Sequence, residues 1–110
     1  MKPASEWIQF AVDVSPGPDT LITVSGELDI ATAPAIEAAL RDVDLRSVRR
    51  VVLDLEPLDF IDARGLRAVL IVHATCVNAS VALVIRPGRR RVQRVFELTG
   101  TDRLLPFSRR

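Results

Sequence analysis

Between Val51 and Leu66 the chain changes its hydrophobic period, and this change constrains the fold more than any other feature. Val51-Val52-Leu53-Asp54-Leu55 is a short apolar run rich in β-branched residues, the composition of a strand buried on both faces. Further on, Leu66, Val69, Leu70 and His73 recur at helical spacing. The segment therefore reads as a strand, a loop and a helix start. Asp62 stands just ahead of the helical period, where a carboxylate accepts the N–H groups that the first turn leaves without partners. Ala63 and Gly65 follow, two small residues expected to leave free N–H groups and the positive dipole end open to an anion or a partner's backbone. This junction is the candidate functional site.

The remaining elements are read around it. Ile8, Phe10, Val12 and Val14 alternate with Trp7, Gln9, Ala11 and Asp13, as in a strand with one buried face. Ser15-Pro16-Gly17-Pro18-Asp19 is a loop, and Leu21 to Gly26 reads as a second strand that pairs with the first as an antiparallel hairpin. Gly26-Glu27-Leu28-Asp29 then leads out of the sheet. With Thr32 ahead of it and Pro34 in its first turn, a helix is expected over about 33–43, its stripe being Ile36, Ala39, Leu40 and Val43. A second helix follows the central strand over about 63–77, and Val81 to Ile85 is another continuous apolar run that reads as a strand. Because helices separate the later strands, these should be parallel neighbours, which makes the sheet mixed. Val92, Val95, Phe96 and Thr99 line a third helix that stops at Gly100, and Leu104 to Phe107 is expected as a short edge strand. The expected fold is α/β, with helices packed on that mixed sheet, and one domain over residues 1–110.

Several classes of function find no support in the residues. The longest apolar runs fall far short of a membrane span, and the start of the chain lacks the pattern of a signal peptide, so the cytoplasm is the expected compartment. His73 and Cys76 lie three apart, but with no other His or Cys in the chain they do not make a zinc site, and no metal or other cofactor is expected. The same scarcity excludes a nucleophilic triad, and the isolated glycines form no phosphate loop. Asp54, Glu56, Asp59 and Asp62 lack the second carboxylate pair and late lysine of a magnesium or aspartyl-phosphate site. Asp54 is expected at a strand end and Asp59 solvated in a loop. The chain reads as a binding protein and not as an enzyme.

Its charge is divided along the sequence. Residues 1–62 carry 12 acidic against 5 basic side chains, a net of −7, and residues 63–110 carry 2 against 10, a net of +8, consistent with the overall +1. Differently charged faces follow, suited to electrostatic steering of a protein partner. The basic run Arg86 to Arg94 has no interleaved aromatics and stands at a helix start, so nucleic acid is not expected as a partner.

Taken together, Gly26-Glu27-Leu28-Asp29, Val51-Val52-Leu53-Asp54-Leu55 and Phe60-Ile61-Asp62-Ala63-Arg64-Gly65-Leu66 resemble the STAS domain, the fold of anti-sigma factor antagonists and of the cytoplasmic tails of sulfate transporters. The resemblance runs from about Ile8 to Phe107. It implies a non-enzymatic interaction module that contacts an anti-sigma factor or kinase-like regulatory protein through Asp29, Asp62, Ala63, Arg64 and Gly65. In the family the residue after the motif's Asp is a serine phosphorylated by the partner kinase. Ala63 occupies that position here, and with no hydroxyl it cannot carry the phosphoryl group. Arg64 replaces a Ser or Thr and is expected either to extend the contact patch or to pair with Asp59 or Asp62 at the surface. The alternative role implied by the resemblance is a subunit or adaptor of a membrane transport system, such as a lipid-exporting ABC transporter.

Overall fold

The computed structural model describes residues 10–109. Five strands and three helices follow one another as β1 (Ala11–Ser15), β2 (Asp19–Leu28), α1 (Ala33–Arg41), β3 (Arg50–Asp54), β4 (Leu58–Ile61), α2 (Ala63–Asn78), β5 (Ala82–Arg86) and α3 (Arg90–Thr99), with a 3₁₀ turn at Thr101–Arg103. β1 pairs antiparallel with β2, and β2, β3 and β5 are successive parallel neighbours. The mixed sheet expected from the sequence is thus the one observed.

β2 organises the sheet because its two halves serve different neighbours. Thr20, Ile22 and Val24 alternate with half-buried Leu21, Thr23 and Ser25, so one face enters the core while Asp19–Thr23 pairs with β3. At Gly26 the backbone takes φ +86°, a conformation open to glycine, and the register slips by one residue. Past this bulge Glu27 and Leu28 pair with Phe60 and Ile61. Two expectations are corrected here: Leu58–Ile61 is a strand and not loop, and Gly26 to Leu28 stays in the sheet.

The core joins Ile22, Val24 and Leu28 of β2, Val51 and Leu53 of β3, Ile36 and Leu40 of α1, and Leu66, Val69 and Val72 of α2. Each such side chain contributes about 1.5–3 kcal/mol by leaving water. α2 runs one residue past its expected end, and α1 ends at Arg41 with Asp42 as its C-cap. α3 buries Val92 and Phe96 and ends at Gly100, whose φ of +75° makes the left-handed cap. Phe96 meets Phe107 edge to face at 5.1 Å. Instead of an edge strand over Leu104–Phe107, the chain makes one parallel bridge, Ile85 to Phe107, because Pro106 can offer only its carbonyl, which accepts from Ile85 N–H at 3.0 Å.

At the sheet's periphery Val14 is 40% exposed, so the buried face expected of the first strand does not reach the end of β1, and Trp7, Ile8 and Gln9 lie outside the described residues. Asp19 ties the starts of β2 and β3 together through Arg49 at 3.0 Å and Arg50 at 2.9 Å, and the hydrogen bond from Arg49 holds its carboxyl below the usual carboxylate range. Being exposed, these pairs add little to stability.

Candidate functional site

Parallel pairing brings two acidic residues to one end of the sheet. Leu28 is the partner of Ile61, so Asp29 and Asp62 leave adjacent strands at their carboxyl ends, where α/β sheets place their binding sites. Asp62 N–H donates to Leu28 O at 3.2 Å, which locks the second exit to the first.

Asp62 adopts extended backbone and caps α2. Its Oδ1 accepts from Arg64 N–H and Gly65 N–H, both at 3.0 Å. The first-turn donors expected to be open are therefore largely taken by the protein's own carboxylate. Replacing Asp62 by Ala removes both bonds and should cost about 1 kcal/mol in urea unfolding, within the usual 0.5–2 kcal/mol for a lost cap. Asp62→Asn keeps an acceptor oxygen and should recover most of that loss. Equal stability of Asp62→Ala and wild type would show that the cap contributes nothing.

Asp29 builds the turn that enters α1. Its Oδ1 accepts from Ala31 N–H at 3.0 Å and Thr32 N–H at 3.2 Å, while its own N–H donates to Thr32 Oγ1 at 2.9 Å. Thr32 Oγ1 donates onward to Glu27 O at 2.8 Å. The carboxylate thus fixes the loop beside the α2 start, and that loop presents Ile30 with 63% of its surface exposed.

Of the residues singled out at the junction, Ala63 and Arg64 are exposed, Asp62 and Asp29 are half-buried and Gly65 is buried. Gly65 was expected to keep the surface open; it instead lets α2 sit on the sheet. A Cβ there would lie 2.4 Å from Leu28 O and 2.8 Å from both Leu28 Cγ and Ile61 Cγ1. Arg64 pairs with neither Asp59 nor Asp62. β4 turns Asp59 toward the start of α3, where it binds Arg89, so Asp59 is not simply a solvated loop residue. Asp54 ends β3 as expected, accepts from Glu56 N–H at 3.0 Å and lies 3.5 Å from Arg86. Among the described residues Arg64 takes part in no ion pair.

Two exposed apolar residues beyond those the sequence pattern indicates flank the junction: Ile30, and Phe60 at 45% exposure. Ile30 carried a usable signal, being a large apolar residue in a polar turn between two elements. Away from the junction, Cys76 is buried, and burial pushes its thiol up, which leaves it a core residue of low reactivity. No described helix is long and apolar enough to cross a membrane.

The family model of the STAS domain matches residues 9–110. BtrV of Bordetella bronchiseptica, a protein assigned as an anti-sigma factor antagonist, is 36% identical over 85 residues, which span 77% of this chain and 73% of BtrV. The anti-sigma-B factor antagonist of Staphylococcus aureus is 29% identical over 84 residues, 76% of this chain and 78% of that protein. In three dimensions the crystal structure of an anti-sigma factor antagonist from Mycobacterium paratuberculosis superposes with a TM-score of 0.77 at 25% identity, covering 100% of this chain and 92% of the other. The reading as a transport adaptor gains nothing from these likenesses. With the family model spanning the sheet, the three helices and the Asp62 junction, the chain belongs to the STAS domain family as a non-enzymatic interaction module resembling anti-sigma factor antagonists.

Proposed function

We propose that this protein is an anti-sigma factor antagonist that binds an anti-sigma factor through the start of α2, and that it does so without a serine switch. The observation that carries this reading is the state of residue 63. Ala63 is the first residue of α2, exposed, held in place by the Asp62 cap and bordered by the Asp29 turn. Its methyl group approximates the bulk of an unmodified serine and offers no oxygen for phosphorylation. A phosphoryl group would place close to two negative charges where a partner must approach, and this chain cannot acquire them at that residue. Binding is therefore permanent and set by concentration. The relatives that resemble it are antagonists by name, which supports the choice of partner class.

The test is calorimetric titration of the protein against purified anti-sigma factors of the source organism, with and without prior incubation with ATP and magnesium. At least one should bind, with the same affinity in both conditions, and mass spectrometry should find no phosphate on the segment around Ala63. If none binds, the reading fails. A kinase-dependent loss of affinity, with phosphate on another Ser or Thr of the folded chain, would remove the claim of permanence.

A further inference from the structure

Beside the exposed Ala63 runs a shallow groove between α1 and α2, about 380 Å³ in volume. Ile30, Pro34 and Ile71 line it with apolar surface, and Arg64 and Arg67 supply cations from α2. The two arginines are three residues apart and so share a helix face. Both are exposed, and neither takes part in an ion pair among the described residues. The carboxylates near them in sequence are occupied elsewhere: Asp62 on its own helix cap, Asp59 on Arg89. Glu37 lines the α1 side of the groove and is also outside any ion pair. α2 itself contains no acidic residue, so two cations stand in its first turns with the dipole against them. An external carboxylate would reverse that unfavourable arrangement.

We infer that this groove receives an acidic and aliphatic element of the partner protein, with an aliphatic side chain against Ile30 and Ile71 and carboxylates on the guanidinium groups of Arg64 and Arg67. The inference rests on the α2 start being the partner site and adds the chemistry by which the partner is chosen. Arginine favours this use because its planar fork holds a carboxylate through two parallel hydrogen bonds. Phosphates would also suit two arginines. Against a nucleic acid stand the aliphatic lining by Ile30, Pro34 and Ile71 and the absence of an aromatic residue for base stacking among the residues that line the groove.

Two measurements test it. In the first, the ¹⁵N-labelled protein is titrated with a helical peptide of about 15 residues presenting Leu and Glu on one face, with the same peptide carrying Lys in place of Glu, and with a single-stranded oligonucleotide. The Glu peptide should shift the amides of Ile30, Arg64, Arg67 and Ile71, and the shifts should vanish in Arg64→Glu/Arg67→Glu and in about 1 M salt, where screening reaches about 3 Å. Equal shifts from the Lys peptide, or shifts at these residues from the oligonucleotide alone, would overturn the inference.

The second measurement uses the anti-sigma factor that binds wild type. Arg64→Glu/Arg67→Glu should lose about tenfold in affinity at low salt, and Arg64→Gln/Arg67→Gln, which removes charge with less risk to the fold, should lose part of that. If Ala63→Asp abolishes binding while both arginine pairs leave it unchanged, the groove is excluded and the docking site at α2 stands. If no anti-sigma factor binds, the proposed function falls, and the peptide titration decides the groove by itself.

Discussion

Gly65→Ala should destabilise the folded chain by about 2 kcal/mol, although the same change in an exposed helix would stabilise it by up to about 1 kcal/mol. The sign is set by what the new methyl group meets. Leu28 O, at 2.4 Å from the ideal Cβ position, belongs to the backbone of β2 and already accepts the Asp62 N–H, so it cannot rotate away as a side-chain end would. Leu28 and Ile61 are both buried core residues, which closes the other escape. Relief requires the first turn of α2 to lift from the sheet, and that movement carries Asp62, Ala63 and Arg64 with it. Urea unfolding should show the midpoint falling, and the thermal midpoint should drop by at least about 8 °C for a domain of this size. Partner binding should weaken in parallel, since the proposed contact surface is displaced. An alanine variant as stable as wild type would mean that α2 does not rest on Leu28 as described.

That glycine shows where sequence reasoning reached its limit. The start of α2 was legible because two local signals coincide at Asp62: the change from a strand-like run to helical spacing, and a capping residue at the boundary. The role of Gly65 was not, because a small residue in a first turn is equally suited to an open anion site and to close packing. Only the pairing of β2 with β4 puts Leu28 beneath it. β4 was missed for a related reason. Leu58-Asp59-Phe60-Ile61 is short, follows a proline and carries a carboxylate, so its local pattern is that of a loop. Its strand character comes from a distant partner, the part of β2 that continues past the Gly26 bulge. The same displacement redirected Asp59 from Arg64, its neighbour in sequence, to Arg89 at the start of α3. The divided charge was plain in the composition, whereas the use of Arg64 and Arg67 as one face of a groove required the α1–α2 packing.

Ala63→Asp should leave the fold intact and weaken the anti-sigma factor complex by more than about thirtyfold. Residue 63 is the first of α2, and a carboxylate near a helix N-terminus is favoured by a few tenths of a kcal/mol up to about 1 kcal/mol, so the free protein should be no less stable than wild type. Binding is another matter. Ala63 is exposed, and a partner that packs on it must bury whatever stands there. An interfacial charge left without a partner costs about 2–5 kcal/mol, and 2 kcal/mol is already about thirtyfold. Arg64 lies next in the chain and could offset part of the new charge, which is why the effect should be largest in Ala63→Asp combined with Arg64→Gln. Arg91→Ala provides the contrast. It lies on the exposed face of α3, within the basic run, and as a rim charge it should alter chiefly the rate and salt dependence of encounter, leaving affinity at high salt unchanged. Calorimetry on the four proteins at low and high salt, with circular dichroism on each, separates the cases. Tight binding by folded Ala63→Asp, together with loss of binding by Arg91→Ala at every salt concentration, would move the interface from the start of α2 to the basic face of α3.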